Sequence, residues 1–134
     1  MANLSVTAST ILAAVASVIG RGKAGVTITP GQVLYLAADN TLKLADANDD
    51  ATTAAAVGIA INGGSATQPI SYIKSGTMSI NSVALAGQTY WTSNTAGGIW
   101  DTEPASGAVT SVIGVGVTTT SIKIGIINSG ATVA

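Results

Sequence analysis

Asp101 and Glu103 stand two apart ahead of Pro104, the one carboxylate pair arranged for the acid and base work that opens a glycosidic bond. They fall in a loop tip with no groove of aromatic rings assured beside them. A second acidic run, Asp46-Ala47-Asn48-Asp49-Asp50, opens like a calcium loop with oxygen-bearing side chains at alternate positions. Ala51 then takes the sixth place, where the loop needs glycine, and Val57 the twelfth, where a bidentate glutamate would close the shell. The run reads as a solvated loop, continued through the small residues 51–56. Gly63-Gly64-Ser65 fits neither phosphate-loop spacing and no helix follows it, so it reads as a turn. The chain has no His and no Cys, which removes the commonest general base, thiol nucleophiles and the usual transition-metal ligands. Its many Ser and Thr residues have no base to activate them beyond five Lys and Arg sites. We expect no enzyme, no metal and no cofactor.

Side chains that do little chemistry leave surfaces as the place to look for function. Charged residues make up 8% of the 134, against about 25% in an ordinary domain, and aromatics 4%, so the apolar content is small and β-branched. So few charges leave a surface that other chains are expected to cover in part. Net charge is −1, with cations scattered at Arg21, Lys23, Lys43, Lys74 and Lys123, which argues against direct nucleic-acid binding. The apolar run 11–19 is about half of a membrane span. Ala14-Val15-Ala16 has a cleavage-site form, but no cation precedes Arg21, so secretion by a signal peptide is not expected.

The elements that carry these surfaces are short strands. Val26-Thr27-Ile28-Thr29 alternates, Pro30-Gly31 suits the centre of a type II turn, and strands follow over 33–37 and 41–45. Residues 57–61 place Val57, Ile59 and Ile61 on one side and the nearly bare Gly58 and Ala60 on the other. Pro69 starts the next strand and Gly76 breaks it. An offset of 56 then carries Gly31-Gln32 onto Gly87-Gln88, Tyr35 onto Trp91, Leu44 onto Trp100 and Val57-Gly58-Ile59 onto Ile113-Gly114-Val115. The last strands run over 109–117 and 121–127, and Asn128-Ser129-Gly130 closes the fold ahead of the last four residues. These features predict an all-β fold, a compact antiparallel β-barrel or β-sandwich built from two related half-repeats at 26–75 and 82–127, with an extended N-terminal arm over 1–24 ahead of the domain at 25–134. In the arm, Leu4 and Val6 alternate with polar neighbours while the alanines of 10–18 favour helix; extension is preferred. Gly20, Gly22 and Gly25 read as a flexible hinge. Tyr35, Trp91 and Trp100 read as core plugs or as anchors at a subunit contact.

Seven segments in this order and spacing, Gly31-Gln32-Val33-Leu34-Tyr35-Leu36, Lys43-Leu44-Ala45-Asp46-Ala47, Val57-Gly58-Ile59-Ala60-Ile61-Asn62-Gly63, Gln68-Pro69-Ile70, Lys74-Ser75-Gly76, Ala96-Gly97-Gly98-Ile99 and Ile113-Gly114-Val115, resemble the small capsid decoration, or cement, proteins of tailed bacteriophages. The likeness covers roughly residues 24–127. It implies a β-rich protein on the outer surface of an assembled virion head, a homotrimer that bridges major capsid protein subunits, put together in the host cytoplasm, with no nucleic-acid or membrane contact. The arm could then add a strand to a sheet edge of a partner, with Leu4, Val6, Ile11 and Leu12 as its contacts and Trp91 and Trp100 as further partner-binding candidates. Two other readings are a receptor- or glycan-binding module of a phage tail or surface appendage, and a self-assembling tail-tube subunit.

Overall fold

A computed structural model describes residues 4–47, 51–102 and 106–132. Ten strands carry the fold: β1 (Leu12–Ala13), β2 (Val18–Ala24), β3 (Val33–Leu36), β4 (Thr41–Leu44), β5 (Ala56–Ala60), β6 (Pro69–Ser79), β7 (Thr89–Thr92), β8 (Ile99–Trp100), β9 (Val109–Thr118) and β10 (Ser121–Thr132). The fold is all-β and contains a closed barrel. β2 pairs with β4 in parallel and with β6 antiparallel, so the path β2-β4-β3-β5-β6 returns on itself. The barrel interior takes one or more small or aliphatic side chains from every wall: Ala24, Leu42, Leu34, Ala60 and Ile70 are buried together, with Tyr72 packed against them.

Gly20 and Gly22 are therefore no hinge. They lie inside β2, where a Cβ at Gly20 would stand 2.5 Å from the Tyr72 ring and one at Gly22 2.9 Å from Leu42 Cδ1. Only a bare strand face lets these side chains fill the barrel. The N-terminal segment likewise belongs to the body. A 3-10 turn (Ala8–Thr10) precedes β1, which pairs with β6, and Ile11 is buried in the main core. Residues 10–18 form no α-helix and no free extended arm: Ile11 is buried and Leu12–Ala13 pair with β6, while Leu12, Val15 and Val18 stay exposed.

The second half repeats the pairing of the first, β7-β8 and β7-β9 standing where β3-β4 and β3-β5 stand. Val33↔Ile59, Leu34↔Gly58 and Tyr35↔Ala56 reappear as Thr89↔Val115, Tyr90↔Gly114 and Trp91↔Val112, with the same bulge before the third pair. The turns agree as well. Gly31 (φ 92°) and Gly87 (φ 81°) take the left-handed value that the turn demands, and their N–H groups donate to Ala60 O and Gly116 O, both at 2.8 Å. The hairpin between the first two strands of each half breaks the match. Ala37 N–H donates to Thr41 O in the first half but Ser93 N–H to Gly98 O in the second, one residue longer, so Trp91 lies opposite Trp100 where Tyr35 lies opposite Lys43. Trp100 is thus the counterpart of Lys43, and the alignment with Leu44 is corrected by one residue.

No strand in the second half corresponds to β2 among the described residues. Where Gly25 N–H donates to Leu42 O on the first barrel wall, the Leu4 N–H donates to Ile99 O at 3.0 Å. The half-open second unit closes instead over the outer flank of the first, and Val33, Ile59 and Ile73 from that flank share a core with Tyr90, Ile99, Ile113, Ile122 and Ile124. Tyr90 is fully buried and its hydroxyl oxygen accepts the Leu85 N–H at 2.8 Å, which settles the one polar atom it brings inside. The bulge also turns Val57 toward the barrel cluster, away from Ile59 and Ile61. Further departures from the sequence reading are local. A single helical turn, α1 (Ala51–Ala54), stands where a loop was expected; β6 runs unbroken through Gly76 at φ 116°; and β10 extends through Asn128, whose side-chain amide binds Ala56 N–H and C=O at 3.1 and 3.0 Å.

Candidate functional site

Alternation along β6 decides which surfaces are left outside. Met78 enters the core, so Ser75, Thr77 and Ser79 face the other way. Register carries this outward row across the sheet: Thr77 lies beside Lys123, Lys123 beside Val115 and Val115 beside Thr89, while Leu12 lies beside Ser79 and Ser79 beside Ser121. The result is one surface spanning β1, β6, β10, β9 and β7, built from Ser, Thr, Val and Gly with Lys123 as its charge. Leu12 (66% exposed), Val115, Val117 and Ile127 (68% exposed) place apolar side chains on and around it. A groove of about 220 Å³ opens between Val112, Val115, Lys123 and Ile127. The surface thus mixes hydroxyls with exposed apolar side chains and carries little charge.

The residues singled out in the sequence do not gather there. Leu4 and Val6 pack against the main core, Ile11 is buried in it, and only Leu12 reaches the neutral face. Trp100 is buried with Ala47 and Ala108, and Trp91 packs against that cluster, so neither forms an open aromatic platform. As partner anchors, Ile11 and Trp100 are corrected: their surface is used up inside their own chain. Asp101 is half-buried, with its backbone carbonyl taking the Gln88 Nε2–H at 2.5 Å, while Glu103 and 48–50 of the acidic run lie outside the described residues. No cluster of three His, Cys, Asp or Glu able to hold a metal exists among the described residues. Gly64 pairs with Ile28 and Ser65 N–H donates to Gln68 Oε1, an ordinary turn. A second cavity, of about 270 Å³, lies under residues 4–8, between the turn at Pro30-Gly31 and the loop 95–98; the Gln32 Oε1 on its wall already accepts the Thr29 N–H.

Comparison with known proteins assigns the chain to no group. No family model matches it, and no curated protein matches it. No helix among the described residues is long and apolar enough to cross a membrane.

The electrostatics add a feature that the scatter of cations in the sequence concealed. Because Gly20, Gly22 and Ala24 face the barrel interior, Arg21 and Lys23 point outward, and Lys23 lies beside Thr41, two residues from Lys43. Asp39 stands at the tip of the same hairpin. The Thr41 hydroxyl, donating to Asp39 Oδ1 at 2.6 Å, and the Thr41 N–H at 3.1 Å hold its carboxyl below the ordinary value of 3.8, with the Lys43 ammonium assisting. A lowered carboxylate pKa helps the folded hairpin above 3.8 and stops helping as pH falls through the lower, folded-state value. Thr41→Val is accordingly expected to raise the Asp39 midpoint toward 3.8 in an NMR titration of the carboxyl carbon; an unmoved midpoint would show that the hydroxyl is not its partner.

Proposed function

We propose that this protein is a structural decoration, or cement, protein that sits as a trimer on the outside of an assembled phage head and joins major capsid protein subunits through its neutral sheet face. The observation that carries this reading is that face: five strands of mostly small, uncharged side chains around Lys123, on a chain with 8% charged residues. The order of the seven segments that resemble cement proteins supports it. Such a clamp binds the finished shell and stabilises it by mass action, a small gain per copy repeated over the lattice. A glycan-binding role fits less well, since both tryptophans are engaged in packing.

The test is occupancy on purified heads lacking the protein. Wild-type chain is expected to elute as a discrete trimer and to give density on the head, not the tail. Thr77→Glu combined with Val115→Glu adds two carboxylates to an outward row without touching the core. Lys123, between the two positions, can pair with only one of the carboxylates; the other, unpaired in a closed interface, costs about 3 kcal/mol, so head affinity is expected to fall about a hundredfold. Binding equal to wild type would remove the face from the reading, and open polymers or tail density for the wild type would overturn it.

A further inference from the structure

Three of the five cations in the sequence, Arg21, Lys23 and Lys43, stand on one outward stretch of the barrel wall formed by β2 and β4. Residues two apart on a strand are separated by about 7 Å and neighbouring strands by about 4.8 Å, and the parallel register Lys23↔Thr41 carries Lys43 beyond Lys23, so Arg21, Lys23 and Lys43 follow one another at roughly 7 and 8 Å along a line of about 14 Å. Each step is about a Debye length at physiological salt, so an extended segment laid along the line meets the three charges in turn. Asp39 is the carboxylate at their border. The chain as a whole carries −1, so this stripe is positive against a negative remainder.

The stripe is distinct from the neutral face. Arg21 lies beside Ser71 and Lys23 beside Pro69 of β6, on the side that Ile73 and Met78 continue into the core; Ser75, Thr77 and Ser79 occupy the opposite side. The register shift at Val18 and Ile19, where β6 carries Lys74 as an extra residue, separates the two stretches. A molecule seated on one surface leaves the other open.

We propose that this stripe receives a carboxylate-rich extended segment of another protein. The Arg21 guanidinium matches a carboxylate with two parallel hydrogen bonds, and Lys23 and Lys43 supply point charges further along the same line. Three cations are few for nucleic acid, where tracking a backbone takes six to ten phosphate contacts. No exposed aromatic ring stands among them on which a base could stack, the nearest, Tyr35 opposite Lys43, being packed against the core. Among the described carboxylates of this chain, Asp39 borders the same stripe and Asp46 and Asp101 are half-buried, so none of these three offers an extended acidic segment to a second copy.

The probe is fluorescent poly-L-glutamate, titrated at low salt with the full chain and, in parallel, a single-stranded oligonucleotide of equal charge and vesicles containing phosphatidylserine. Wild-type chain is expected to bind the polyglutamate most tightly, with affinity that weakens as salt rises. Arg21→Gln, Lys23→Gln and Lys43→Gln together should lower that affinity at least about tenfold while the melting curve stays in place, and each alone should give part of the loss. Lys74→Gln with Lys123→Gln should leave it within about twofold. Absence of polyglutamate binding, an equal loss in both sets of variants, or tighter binding of the oligonucleotide or the vesicles would each overturn the proposal. None of these results bears on head occupancy through the neutral face.

Discussion

Gly114→Ala is expected to destabilise the protein by about 3 kcal/mol, and Gly58→Ala by a similar amount. The two glycines occupy the same place in the two halves, opposite Tyr90 and Leu34 and directly after the bulge. There the strand lies so close to its neighbour that a Cβ would collide with backbone: with the Lys123 carbonyl oxygen at Gly114, and with the Ile73 carbonyl oxygen at 2.5 Å, besides the Tyr72 ring, at Gly58. Backbone oxygens in a paired strand cannot swing aside as a side chain would. The penalty is overpacking plus displaced ladder hydrogen bonds. Gly125→Ala is the internal control, since nothing stands within 4 Å of its Cβ position and its φ is not positive. It should change stability by less than about 0.5 kcal/mol or raise it slightly, through a less flexible unfolded chain. Urea midpoints for the three variants decide the matter. If Gly114→Ala unfolds at the same midpoint as Gly125→Ala, the close strand approach is wrong.

These glycines explain why half of the architecture was readable and half was not. The turn at Gly31 and the bulge glycine at Gly58 are local demands of backbone geometry, so they recur at Gly87 and Gly114 and reveal the duplication at once. Gly20 answers a demand made by Tyr72, which the chain brings beside it only after the barrel closes. In sequence such a glycine looks the same as a hinge. The closure itself depends on the parallel pair β2-β4, which no local pattern encodes. Trp100 was misplaced for a subtler reason: the longer second hairpin is offset before β9, so an ungapped comparison keeps both glycines in step and hides the slip between them. Of the candidate surface, low charge was legible, and its position was not. Thr77, Lys123 and Val115 come from three strands, and only their register makes them neighbours.

Removing residues 2–11 is expected to cost about 4 kcal/mol of stability, because residues 4–11 are a strap across the two halves. Leu4 N–H donates to Ile99 O of the second half. The Asn81 side chain then grips the strap from the linker between the halves, its Nδ2 donating to Ser5 O and its Oδ1 accepting the Thr7 N–H, both at 2.9 Å. Val6 and Ile11 close over the Gly31 turn of the first half, where a Cβ at Gly31 would meet their side chains at 2.5 and 3.2 Å. Deleting the strap takes away the buried Ile11, uncovers the core beside Tyr90 and Ile99, and frees the polar groups of Asn81. Asn81→Ala alone should cost about 1 to 2 kcal/mol, since the strap carbonyl and N–H then lose their shared partner. A truncated chain with the urea midpoint of the full chain would mean that residues 4–11 hang free, as an arm for a neighbour. The two outcomes also decide how a loss of head occupancy on truncation is read: a strap acts through the fold that presents the neutral face, whereas a free arm would act by its own contacts. Leu12 separates them further, because it is exposed beside Ser79 and Leu12→Ser leaves the core intact. That substitution is expected to keep stability within about 0.5 kcal/mol and to weaken head binding through the face alone.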